Sequence, residues 1–205
     1  MRLSRTYADD TGAGWIAPEP AVMLRASHAI VAGDGTWLVD PVDGEGLDDL
    51  LAPLPPVRGV LQLLDRHPRD CAPLAERFGV PLHVTPGEAV PGLPLRVVPL
   101  TRRRWWRETA LWWPETRSLV VPESLGTSPY FLARAGDPLG VHPAIRLTPP
   151  RGLRAFEASR LLCGHGAPAA GEGTADAIRR ALDGSRRDLP GVLWRTLRHR
   201  GRPPA

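Results

Sequence analysis

One stretch constrains the fold more than any other. Residues 60–84 read VLQLLDRHPRDCAPLAERFGVPLHV. An apolar run from Val60 to Leu64 stops in a dense polar cluster of Asp65, Arg66, His67, Arg69, Asp70 and Cys71. Leu74, Ala75 and Phe78 then recur at helical spacing on one face, and Gly79 is the residue that ends such a helix. A second short apolar run, residues 80–84, follows. The pattern is strand, polar turn, helix, strand, and in α/β proteins ligands collect at the carboxyl ends of such strands.

Around this unit the chain is cut into short elements by 24 Pro and 21 Gly. Residues 1–14 read as a polar lead-in. Strands are predicted over 22–26, 29–32 and 36–39, with Gly33-Asp34-Gly35 as a hairpin turn. Leu47, Leu50, Leu51 and Leu54 mark the inner face of a short helix over 44–54, closed by prolines. The central strand starts near Val57. Further strands are expected over 96–100, 109–113, 118–121 and 160–163, with RRRWWR (102–107) as an exposed turn and 122–150 as a long loop. A short helix is expected near 152–158, with others over 174–182 and 189–197. This gives a lead-in (1–14), one domain (15–188) and a basic C-terminal helix and tail (189–205). Hairpins followed by alternating strands and helices indicate a layered α/β arrangement.

Composition narrows the classes of function. With only Cys71 and Cys163, a disulfide framework is excluded, although one bridge is allowed. Reduced thiols, no signal-peptide core at the N-terminus and no apolar run of membrane-spanning length lead to the expectation of a cytoplasmic protein without membrane partners. All 26 basic residues are Arg, so the net charge of +4 is fixed across the relevant pH range. That balance permits contact with nucleic acid without requiring it. The C-terminal arginines read more readily as a solvated helix face than as a groove reader.

From about Val22 to Ala167 the chain resembles the metallo-β-lactamase-like superfamily. TWLVDP (36–41) resembles the hairpin strand that ends in the family's first Asp, here Asp40. LLDRHPRDCAPLAERFGVP (63–81) stands where the family has its HxHxDH turn and the helix after it. SLVVPESLG (118–126) resembles the strand that ends in Gly-Asp, with Glu123 at the acidic position. LLCGHG (161–166) resembles the strand that delivers the last metal-binding His, here His165. The resemblance implies a four-layer αββα sandwich and metal-dependent hydrolysis.

The same comparison implies a degenerate metal site. If Asp65 takes the first His position, His67 takes the second, Arg69 the Asp and Asp70 the third His; one extra residue would put Cys71 there instead. The family's next His falls in TRRRWWRE (101–108), which has none. Zinc takes about four N, S or O donors at roughly 2.0–2.3 Å. His67, Asp70, Cys71, Glu123 and His165 are therefore the candidate ligands, sufficient for one zinc or other divalent ion at most. Asp40 and Asp65 read as structural members of the motif.

Other readings of the same residues stay open. Asp70 can cap the helix beginning at Cys71, and Cys71 at a helix start can be a nucleophile or a semi-buried thiol. Arg102, Arg103 and Arg104, interleaved with Trp105 and Trp106, suit an anion or a stacked base. Three functions follow as expectations: a divergent hydrolase with at most one metal, a scaffold without catalysis or metal that binds a small anionic ligand or a protein partner, and a nucleic-acid-associated protein.

Overall fold

Two β-sheets lie face to face with helices on both outer sides in the computed structural model, which describes residues 1–19 and 23–192. In the first sheet β1 (Ser4–Asp9), β2 (Gly12–Ala17), β3 (Arg25–Ala32), β4 (Gly35–Val39), β5 (Val57–Gln62) and β6 (Leu82–Val84) lie side by side in chain order. Its first four strands are antiparallel, and the β4–β5 and β5–β6 pairs are parallel. The parallel connections are made by α1 (Leu47–Leu51) and α2 (Cys71–Phe78). The second sheet has the order β13 (Ala169–Ala170), β12 (Arg160–Cys163), β9 (Ser118–Val121), β8 (Trp106–Trp113), β7 (Arg96–Arg103). A small ribbon, β10 (Leu125–Gly126) with β11 (Gly140–Val141), two 3-10 turns and α3 (Thr174–Gly184) complete the described residues.

Alternation along each strand builds the layers. Trp37 and Val39 on β4, Leu61 on β5, Leu111 on β8, Val120 on β9 and Leu162 on β12 meet between the sheets. Their neighbours point outward. Leu38 and Val60 pack under Leu47 of α1 and Leu74 of α2. Leu119, Val121, Leu161 and Cys163 pack under Ile178 and Leu182 of α3. This is the αββα sandwich that the sequence implies. Gly79 ends α2 in the left-handed conformation with φ 63° and returns its N–H to the carbonyls of Ala75 and Glu76.

Several sequence expectations are corrected. Residues 1–14 are no loose lead-in, since β1 and the start of β2 form a hairpin that extends the first sheet. The separate strands expected over 22–26 and 29–32 are one strand, β3, with Val22 outside the described residues. The RRRWWR segment is no detached turn. β7 and β8 run into it, pairing Arg102 with Arg107 and Arg103 with Trp106. The loop 122–150 contains the β10–β11 ribbon. Both cysteines are free and buried, so no bridge forms. Of the helix expected over 189–197, residues 189–192 are helical, and 193–205 lie outside the described residues. No helix among the described residues is long and apolar enough to cross a membrane.

Candidate metal centre

Four strand ends deliver the site. Asp40 follows β4 directly, His67 lies five residues past β5, and Glu123 and His165 each lie two residues past β9 and β12. β4 and β5 are parallel, and so are β9 and β12, so each pair ends on one edge of its sheet. Gly164 and Gly166 allow the last approach. A Cβ on Gly164 would sit 2.2 Å from the Pro122 carbonyl oxygen, and Gly166 has φ +94° with Ser128 N 2.5 Å from the Cβ position. The Gly-His-Gly text thus exists because β12 ends against the segment that carries Glu123.

His67, Glu123 and His165 are buried, and one ligand atom of each lies within a single cluster. Glu123 Oε2 is 2.7 Å from His67 Nε2 and 2.9 Å from His165 Nε2. The two Nε2 atoms are 3.3 Å apart. The far side of each ring is occupied. His67 Nδ1 faces Asp40 Oδ2 at 3.2 Å, and Asp40 is itself fixed by the Leu63 N–H, 2.8 Å from Oδ1. His165 Nδ1 faces the Met23 carbonyl oxygen at 3.0 Å. A carboxylate and a carbonyl only accept, so both Nδ1 atoms carry a proton, and in the neutral form of each ring Nε2 turns a lone pair toward Glu123.

Three acceptor atoms so close together require a positive charge among them. A proton that turns one ring into imidazolium supplies it, and so does a metal ion. Burial and the charge of Arg69 work against protonating His67, but its contacts with Asp40 and Glu123 outweigh them and raise its pKa. Burial is the main influence on His165, and lowers its pKa. Burial alone would raise the pKa of Glu123, but the three surrounding histidines hold it far below the usual carboxylate range.

The third of those histidines had no motif to mark it. His142, just after β11, has its Nδ1 3.1 Å from the Ala144 N–H, which it accepts. Its proton therefore sits on Nε2, which donates to Glu123 Oε1 at 3.0 Å. His142 ties down one carboxylate oxygen and leaves the other for the cluster. Glu108, buried on β8, likewise has no motif around it. It accepts the backbone N–H groups of Glu123 (3.0 Å) and Ser124 (2.7 Å), the Ser124 hydroxyl and the Trp106 indole N–H (2.7 Å). Burial raises its pKa. It fixes the backbone on which Glu123 rides.

Two candidate ligands are elsewhere. Cys71 is buried beneath α2 among Leu38, Val60 and Leu74, and burial pushes its thiol well above the usual range. It is neither ligand nor activated nucleophile, because its place at the helix start turns it into the core. Asp70 makes no side-chain cap on α2. Its Oδ2 accepts the Asp43 N–H at 2.8 Å and holds the loop after β4. Asp65 faces Arg107 at 3.6 Å. Arg69, with φ 39°, lines the cleft beside the cluster and donates to the carbonyl oxygens of Ala26 (2.5 Å), Asp40 (2.9 Å) and Gly164 (2.9 Å). Its guanidinium joins the ends of β4 and β12 to β3.

The Arg–Trp segment is split. Trp106 is fully buried, with the Arg66 guanidinium 4.2 Å above its ring and His142 against it. Trp105 is 53% exposed. Arg102 folds over Gly87, and only Arg103 reaches across to Thr148, at 3.1 Å.

The described chain superposes along most of its length on solved structures, metallo-β-lactamases among them. VMB-1 matches with a TM-score of 0.60 at 12% identity, covering 95% of this chain and 98% of that one. The enzyme from Pontibacter korlensis gives 0.57 at 15%, covering 89% and 99%. That from Erythrobacter litoralis gives 0.57 at 16%, covering 90% and 92%. The chain has the metallo-β-lactamase fold. No protein-family model matches it, and no curated protein matches it in sequence. Within the metallo-β-lactamase fold this chain is divergent, and its cluster lies at the edge where four strands end.

Proposed function

We propose that the chain is a hydrolase-like protein of this fold that holds a single divalent metal ion, zinc by donor chemistry, on His67, Glu123 and His165. One observation carries the reading. Both imidazoles have Nδ1 held by an acceptor, so two Nε2 atoms and a carboxylate oxygen converge on one point. Tetrahedral zinc with bonds near 2.0–2.1 Å spaces its donors by about 3.3 Å. The 3.3 Å between the two Nε2 atoms fits. The Glu123 contacts, at 2.7 and 2.9 Å, have hydrogen-bond lengths and must open by roughly half an ångström.

When bound, such an ion lowers the pKa of a coordinated water and supplies a nucleophile for attack on an ester or thioester. The chain's own residues do the rest. Asp40 and the Met23 carbonyl orient the two rings, and His142 leaves Glu123 a single free oxygen. A cleft of about 400 Å³ opens over the cluster, lined in part by Leu64, Arg25 and Arg66, and would place an anionic group of a substrate near the arginines.

The second reading is a scaffold without metal, and the hydrogen-bond lengths at Glu123 favour it. In that case His67 is the imidazolium, held between Asp40 and Glu123. Metal content separates the two. Protein dialysed against micromolar zinc and then buffer is expected to keep about one equivalent, and His165→Ala to keep almost none. Trace metal in both proteins would leave the scaffold.

A further inference from the structure

A second cavity, of about 420 Å³, shares no lining residue with the cleft over the His–Glu–His cluster. Its lining includes the buried Trp106 and Ile145, the exposed Trp105, and three exposed arginines, Arg103, Arg151 and Arg186. No acidic residue lines it. None of the three arginines forms an ion pair with a carboxylate of the described residues, whereas Arg58, Arg77, Arg107, Arg154, Arg160, Arg179 and Arg187 all do. Two are nevertheless positioned. Arg103 donates to Thr148 Oγ1 at 3.1 Å and Arg186 Nε to the Leu147 carbonyl at 2.9 Å. Three like charges share a mouth over an apolar, aromatic interior.

Like charges gathered this way repel one another unless an anion joins them. Guanidinium forks suit phosphate and carboxylate oxygens, and indole faces take a flat ring. The volume matches a small organic ligand. We propose that this cavity binds an aromatic phosphate of nucleoside monophosphate size, with its ring against the exposed Trp105 and its phosphate on Arg103, Arg151 and Arg186. The set differs from the one that the sequence suggested. Arg102 and Arg104 do not line the cavity, and Arg151 and Arg186 arrive from distant segments. The proposal does not depend on the metal.

The test uses the full chain titrated with adenosine monophosphate and followed by tryptophan fluorescence and calorimetry. Saturable binding is expected, weaker for adenosine or inorganic phosphate alone. Arg151→Glu and Arg103→Glu are each expected to weaken it about tenfold or more, the size of one lost charge-assisted contact. Arg104→Glu, on the same hairpin but outside the lining, is expected to change it by less than about twofold, as for a screened surface charge. Far-ultraviolet circular dichroism checks that each variant is folded. Absence of saturable binding to the wild type, or equal losses from Arg104→Glu and Arg151→Glu, would overturn the proposal.

Discussion

His142 touches no other member of the cluster, yet it decides how Glu123 acts. Its Nε2–H occupies Oε1, so Oε2 alone faces His67 and His165. Without that donor the carboxylate can rotate and present both oxygens. Partners of this kind behind metal ligands are worth about 10–100-fold in metal affinity. His142→Ala is therefore expected to weaken zinc binding by about that factor while the protein stays folded. His142→Gln, whose amide can donate to Oε1, should recover part of the loss. The check is competition against a chromogenic zinc chelator, and an affinity unchanged in His142→Ala would show that the contact is passive. Arg69 illustrates the opposite case. Its guanidinium donates to three backbone carbonyls at strand ends, while its charge still opposes a positive charge on His67 and His165.

At the level of elements, the sequence was legible where punctuation and burial coincide. The bounds of β12 are legible because Leu161, Leu162 and Cys163 are all buried and Gly164 follows. The β3–β4 hairpin was visible in Gly33-Asp34-Gly35. β5, the polar turn and α2 follow the sequence pattern, and the fold brings His67, Glu123 and His165 close together. Illegible elements owe their structure to pairing. β1 is exposed or half-buried throughout, so no apolar alternation marks it, and backbone bonds to β2 hold it in place. The RRRWWR segment hid a buried indole because its N–H is satisfied by Glu108, which no local pattern announces. As ligands Cys71 and Asp70 fail for a related reason, and the alternative of a buried thiol is the one that Cys71 takes. Adjacent positions at a helix start diverge, one into the core and one toward a neighbouring loop. His142 depends on a two-residue ribbon whose position is set by tertiary contacts.

Across the whole molecule, His28 joins the sheets. It sits on β3, its Nε2 donates to the Cys163 carbonyl on β12 at 3.0 Å, and its Nδ1 lies 3.4 Å from the Tyr7 hydroxyl. Burial is the main cause of its lowered pKa, about 4. The Cys163 hydrogen bond opposes that shift, and the charges of Arg69 and Arg160 add to it. In the unfolded chain a histidine titrates near 6.5. Between these values the unfolded state binds more protons, so this group's stabilisation is complete above about pH 6.5 and is lost as the pH falls toward 4. The whole span is worth about 3 kcal/mol. Urea unfolding of wild type and His28→Gln across that window should show the wild type losing stability more steeply on acidification. Parallel curves would mean that His28 is protonated in the folded protein.

Whether an ion binds at the strand ends is the decisive point, and it can be seen directly. Crystals grown with zinc and recorded on both sides of the zinc absorption edge are expected to show one anomalous peak, about 2.0–2.2 Å from His67 Nε2, His165 Nε2 and Glu123 Oε2. Glu123 should have moved outward from both rings, with Asp40, the Met23 carbonyl and His142 keeping their partners. A map with no peak at that point, and with Glu123 still at hydrogen-bond distance from both rings, would contradict a metal centre in this protein.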